Sequence, residues 1–279
     1  MKKLLAIILT VSILSSCEDE LAPDLEERVN LLVVDGWIYN TPGPQTVRVA
    51  RSVAFEDTQN LSQVTGAVVI VRNRNLEDVR LTEISPGLYQ TDENFQGQVG
   101  QSYQVEIRPG NGRVYLSDFQ TLRPVPEILT LSMELDETST NNPDFLPEQF
   151  FPVTIVQDFP ESVDFYRWKV ARNEEFFNEP EDIILLTDRF INGNRFRNEL
   201  KEYLFLEGDT VHVRLESMTQ EAYNFLRFFR RQTTDLGTSG GTNPGVLQGN
   251  LRNRDDENEV VLGFFGASAV TTIQQTVEE

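Results

Sequence analysis

Few residue types in this chain could do chemistry. His212 is the only histidine and Cys17 the only cysteine among 279 residues. A Ser-His-Asp relay, or any metal set that uses imidazole, would have to pass through His212. It lies in Val211-His212-Val213-Arg214-Leu215, where alternation puts it opposite the apolar Val211, Val213 and Leu215, as a solvated strand histidine. Carboxylates are plentiful, with 44 Asp and Glu. A pair at glycosidase separation could serve as acid and base, and Asp158, Glu161 and Asp164, on or next to expected strands, are the candidates. Asp255-Asp256-Glu257-Asn258-Glu259 offers oxygen ligands of the kind calcium favours, but it lacks EF-hand spacing and the glycine that goes with it. A charged turn is its plainer reading. The run Gly237 to Gly245 has no Lys-Ser/Thr to complete a phosphate loop. Arg227, Arg230 and Arg231 form the largest basic feature, set either to pair with the protein's own acids or to dock an acidic partner. Tyr166 and Trp168 could line a sugar- or protein-binding surface, and core packing is the simpler role for them. No catalytic residue, metal centre or cofactor is expected.

Cys17 has a different context. Lys2 and Lys3 precede an apolar stretch, Leu4 to Leu14, that is too short for the about 20 residues a bilayer span needs. That is the layout of a cleaved export signal. Its end, Leu14-Ser15-Ser16-Cys17, resembles the lipobox of bacterial lipoproteins. The resemblance implies a thioether-linked diacylglycerol on Cys17, with a further acyl chain such as palmitate. At about 0.8 kcal/mol per buried CH2, several chains hold a protein at a membrane almost permanently. The acidic run Glu18-Asp19-Glu20 resembles the surface-export signal of Bacteroidota-type lipoproteins, and would in any case make a solvated tether. The expected location is the outer membrane, lipid-anchored and exposed at the cell surface, with the periplasmic face as the alternative.

The formal net charge is −20, and loss of the leader with Lys2 and Lys3 makes the mature chain two units more negative. Such a surface repels phosphate backbones and anionic lipid, so nucleic acid is excluded as a partner class. A lone cysteine permits no internal disulfide even where disulfides can form. Stability must come from packing, in which 18 Phe take part against 2 Trp.

The elements that would position these residues are mostly short strands. A tether over 17–29 leads to a first strand at 31–39, expected to be broken or bulged near Gly36. Strands follow at Thr46 to Ala50, Gly66 to Val71, Asp78 to Ile84, Tyr103 to Ile107 and Val114 to Phe119, with Ser85-Pro86-Gly87 in the order a type II turn prefers. About seven strands with turn signals every 8–12 residues predict an antiparallel β-sandwich over 30–123, transthyretin-like or Ig-like. Arg123-Pro124-Val125-Pro126 reads as a stiff linker. Beyond it, 124–279 is expected to form a larger β-rich domain. Its strands are placed at Glu127 to Leu135, Phe150 to Val156, Val163 to Ala171, Ile183 to Leu186, Glu202 to Leu206 and Val211 to Leu215. A closing strand or strand pair, Val260 to Val277, is bent around Gly263 and Gly266. One amphipathic helix, about 219–232, is set by Thr219 as N-cap and by Ala222, Phe225, Leu226 and Phe229 at helical spacing.

Several motifs, taken in order, resemble a known family. They are Leu32-Val33-Val34-Asp35-Gly36-Trp37-Ile38, the segment Pro44 to Ser52, Val64-Thr65-Gly66-Ala67, Pro86-Gly87-Leu88-Tyr89, Phe165-Tyr166-Arg167-Trp168 and Leu262-Gly263-Phe264-Phe265-Gly266-Ala267-Ser268. The pattern is similar to the Bacteroidota lipoprotein family described as domain of unknown function 4249. The resemblance implies an outer-membrane lipoprotein, often encoded beside a TonB-dependent receptor. It carries over no catalytic or ligand residues.

The expected function is therefore non-enzymatic: a binding or accessory subunit of a TonB-dependent outer-membrane receptor. A surface hydrolase with paired carboxylates and a structural or adhesive surface protein are the alternatives. A hydrolase predicts a deep cleft with two or more carboxylates of displaced pKa. An accessory subunit predicts a broad, partly apolar or aromatic exposed patch and no such cleft.

Overall fold

The computed structural model describes residues 30–53, 62–75, 78–137, 147–191, 193–234, 247 and 249–278. The leader 1–16, the tether 17–29 with Cys17, and the Gly237 to Gly245 run lie outside the described residues. Ten strands precede residue 123: β1 (Leu32–Tyr39), β2 (Thr46–Arg51), β3 (Ser62–Gln63), β4 (Val68–Asn73), β5 (Val79–Arg80), β6 (Thr82–Ser85), β7 (Leu88–Gln90), β8 (Ser102–Arg108), β9 (Tyr115–Ser117) and β10 (Gln120–Thr121). Ten follow: β11 (Ile128–Leu135), β12 (Phe150–Gln157), β13 (Phe165–Arg172), β14 (Glu175–Phe176), β15 (Ile184–Thr187), β16 (Arg195–Glu199), β17 (Thr210–Met218), β18 (Leu251–Asn253), β19 (Val261–Ser268) and β20 (Val270–Thr276). One helix, α1 (Gln220–Thr234), lies between β17 and β18. The protein is mainly β, as expected.

Two pairs of sheets enclose two cores. The first pair has the orders β19-β1-β2-β7-β6 and β18-β9-β8-β4-β5, with β3 beside β2 and β10 beside β8. Alternation drives it. Leu32, Val34 and Ile38 of β1 and Val47 and Val49 of β2 point inward against Val69, Val71, Val105 and Ile107, all at or near zero exposure. The second pair is β11-β12-β16 and β14-β13-β17-β20, with β15 also on β13. Tyr166, Trp168, Val170, Val211, Val213 and Leu215 fill its core.

The sheets do not divide at residue 124. Strand β18 pairs with β9, and β19 runs parallel to β1 over its whole length, Leu32 beside Val261 and Tyr39 beside Ser268. Residues 251–268 thus complete the first sandwich, and β20 then joins β17 in the second. The crossing falls at Ala269 and is held by Ser217. The Ser217 hydroxyl donates to the carbonyl of Arg123 (2.6 Å) and accepts from the N–H of Ala269 (3.1 Å). A third apolar cluster, with Phe165, Met218, Leu226 and Phe264, seats α1 across the junction.

Some local expectations change. Strand β1 runs unbroken through Gly36, paired on both sides, because its missing side chain leaves room for Val47, whose Cγ2 lies 2.8 Å from where a Cβ would stand. Asp78 to Ile84 is two strands: buried Leu81 carries the chain from β5 in one sheet to β6 in the other. Glu202 to Leu206 makes only one bridge, Phe150 to Phe205, since turns close at Tyr203 and Asp209 on either side. Strands β16 and β18 are additions. The helix is confirmed, with Thr219 Oγ accepting the Ala222 N–H at 3.2 Å, but Phe229 is half exposed rather than buried.

Candidate functional site

Strand register brings three carboxylates to one end of the second sandwich. Asp158 follows the last residue of β12, and Asp164 precedes the first residue of β13. Asp188 follows β15, which pairs with β13 so that Phe165 stands beside Thr187. One oxygen from each of Asp158, Asp164 and Asp188 lies within 4.8 Å of the others. All three residues are buried, at 2, 2 and 0% exposure. Two of the residues singled out in the sequence are therefore together. Glu161 is exposed and takes no part.

Donors surround most of this cluster. Tyr166 Oη and the Gly193 N–H bind the two oxygens of Asp158, at 2.7 and 3.0 Å. Arg123 and the Ser162 hydroxyl bind those of Asp164, both at 2.7 Å. The Asp164 N–H binds Asp188 Oδ1 at 2.8 Å. Asp188 Oδ2 is buried with no hydrogen-bond partner. Burial pushes the Asp188 carboxyl up to about 6; the neighbouring Asp158 and Asp164 add to the rise and the Asp164 N–H opposes it. Beside the cluster a cavity of about 950 Å3 opens between the two sandwiches, with Arg123, Val163, Phe165 and Arg189 in its wall. Phe190, next to Arg189, is 93% exposed, and Val163 is 41% exposed.

A second charged region lies where β1 approaches β13 and β17. Residues Arg167 and Lys169 of β13 stand in register with Glu216 and Arg214 of β17. Across from them are Asp35 and Tyr39 of β1, with Arg48 paired to Asp35. Arg214 stacks over the Tyr39 ring at 4.3 Å, and its Nε lies 2.9 Å from wholly buried Glu216. Desolvation raises the Asp35 carboxyl, against the pull of Arg167, Arg48 and Lys169. Desolvation, then Arg167, lowers Lys169. Charge is balanced within the region by ion pairs of Glu216 with Arg214 and Arg167, at 2.9 and 4.0 Å, although neither Glu216 oxygen accepts a well-formed hydrogen bond.

The remaining candidates are accounted for locally. His212 lies on the Arg214 side of β17, half-buried, while Val211 and Val213 face the core. Tyr166 and Trp168 are wholly buried core residues. The 255–259 run is engaged in its own turn and against β9: Arg254 pairs with Asp255, and Glu259 receives Arg113 and Tyr115. Arg227 rests against the rings of Tyr223 and Phe228. Sequence reasoning missed Asp188, whose one signal was an acid set directly after an apolar strand.

Two packed β-sandwiches with interwoven strands and one helix at their junction define a mainly β, two-core protein. The family model described as Domain of unknown function (DUF4249) matches residues 18–274, and the chain belongs to that family. No curated protein matches it. Among solved structures, trypsin-activated alpha-2-macroglobulin from Escherichia coli shares 11% identity, over 69% of this chain and 15% of that one, with a TM-score of 0.25. This chain thus spans about 15% of that protein's length. No helix among the described residues is long and apolar enough to cross a membrane.

Proposed function

We propose that the protein is an outer-membrane lipoprotein anchored through lipid on Cys17, and that it serves as a non-enzymatic accessory or binding subunit of a TonB-dependent receptor. The observation that carries the non-enzymatic reading is the burial of the Asp158, Asp164 and Asp188 cluster. Carboxylates at 0–2% exposure do not meet a polymeric substrate, which weighs against a hydrolase built on them. Two apolar side chains are open to solvent nearby, Phe190 and Val163, the latter in the wall of the junction cavity among polar neighbours such as Arg123 and Arg189. Exposed aromatic side chains of this kind are the usual anchors of a protein contact. The lipobox supports the anchor, and the family pattern suggests the receptor.

The test is a mild-detergent pull-down of tagged protein from native outer membranes, with Cys17→Ala and Phe190→Glu for comparison. Stoichiometric recovery of one large β-barrel receptor by wild type is expected, with loss of that partner in Phe190→Glu. Cys17→Ala is expected in the soluble fraction. Membrane-bound wild-type protein that brings down no partner would overturn the subunit role. A Cys17→Ala form that stays at the membrane would overturn the anchor.

A further inference from the structure

The cluster at the end of β12, β13 and β15 is short of positive charge. Three carboxylates are buried together, and Arg123 is the one cation paired with them among the described residues. A buried carboxylate is costly unless its charge is matched and its oxygens are bonded. Asp158 and Asp164 meet the second condition at both oxygens, and Asp188 meets it at only one. Asp188 Oδ2 is enclosed completely and no N–H or hydroxyl donor reaches it, while the Asp188 side chain abuts the Asp158 carboxylate. Hydrogen bonding leaves each carboxylate oxygen with lone-pair capacity to spare, since a carboxylate has about four acceptor sites in all.

We propose that Asp158, Asp164 and Asp188 form a binding site for a hard divalent cation, and that the ion is calcium. The ligand set is all oxygen and all anionic, which selects Ca2+ or Mg2+ over thiophilic metals. Oxygens within 4.8 Å of one another can surround either ion. Burial favours calcium: Mg2+ dehydrates reluctantly and usually keeps several waters, which carboxylates at 0–2% exposure leave little room for, whereas Ca2+ takes protein oxygens in irregular geometry. A dication bound here would neutralise the charge that Arg123 leaves over and would occupy Asp188 Oδ2. It would also clamp the segment 158–164 to the turn that follows β15, at the wall of the junction cavity. The ion is thus a structural clasp that holds both rims of this end of the sandwich, independent of whether a receptor is the partner.

The experiment uses the full chain in detergent, stripped with EDTA and then titrated separately with Ca2+, Mg2+ and Tb3+. Tyr166, whose hydroxyl touches Asp158, is placed to sensitise terbium emission. The expected result is one saturable site per chain. Calcium at a hundredfold excess over its Kd should raise Tm by about 5 °C, magnesium should do so less, and Ca2+ should displace the Tb3+ signal. Asp188→Asn and Asp158→Asn are each expected to abolish the signal and the Tm rise. A wild-type Tm that Ca2+ leaves unmoved overturns the proposal, as does a folded Asp188→Asn or Asp158→Asn protein that binds like wild type. If neither variant folds, the wild-type emission decides: sensitised emission at one ion per chain supports the site, and its absence sinks it.

Discussion

Ser217 illustrates how much of this molecule rests on single side chains. Its hydroxyl serves the Arg123 carbonyl and the Ala269 N–H at once, at 1% exposure. Ser217→Ala leaves both without that partner, and each unsatisfied buried group costs about 1–3 kcal/mol. A loss of about 2–3 kcal/mol in urea unfolding is expected, and a change below about 0.5 kcal/mol would show that the two groups find other partners. Several buried tyrosines predict alkaline behaviour, Tyr39 and Tyr203 among them. Burial holds Tyr39 and Tyr203 protonated, aided by Glu216 at the first and Asp182 at the second. Their folded pKa values are raised above the usual 10.0, so their contribution is whole below that pH and is lost as pH rises beyond it. Each should lower stability by about 1.4 kcal/mol per pH unit there. Unfolding free energies between pH 8 and 11 should bend downward near pH 10, and Tyr203→Phe should make that bend shallower. Site residues were legible only in part. Asp158 and Asp164 flank one turn, so a reader of the chain can pair them. Asp188 joins them through the register of β13 on β15, which no local pattern records.

At the scale of elements, alternation was the reliable guide. It placed β2, β8, β13 and β17 to within a few residues, because each has one face in a core. Strand β16 escaped it: Arg195-Phe196-Arg197-Asn198-Glu199 carries one apolar residue, and its place comes from pairing with β12. The bend expected at the glycines of β19 gives way to a different use. A Cβ on Gly266 would lie 2.3 Å from the Trp37 ring, so the indole of β1 lies across the backbone of β19. Gly266→Ala should therefore cost about 1–3 kcal/mol through overpacking. Trp37→Leu in the same chain should recover part of that loss in a double-mutant cycle. Strictly additive losses would mean that the strand yields instead of the ring.

For the whole molecule, the linear reading and the folded topology part company. Composition and turn spacing gave two β units, and both cores exist, but β18 and β19 belong to the first while following nearly all of the second in sequence. Parallel pairing of β1 with β19 spans more than two hundred residues and leaves no local trace. A fragment of residues 30–126 lacks Leu251, Val261, Phe265, Ala267 and Ala269 of its own core and exposes an edge of β1. It should show no cooperative thermal transition by circular dichroism, and a sharp one would mean that the first sandwich stands alone. The same interleaving bears on timing. A polypeptide emerges from the ribosome amino end first, yet the strand that closes the first sandwich is among the last of these elements to appear. Until then the early half has an open flank, and folding waits on contacts of very high sequence separation. The export proposed for this chain would gain from that delay, because a polypeptide that cannot finish folding during synthesis stays threadable.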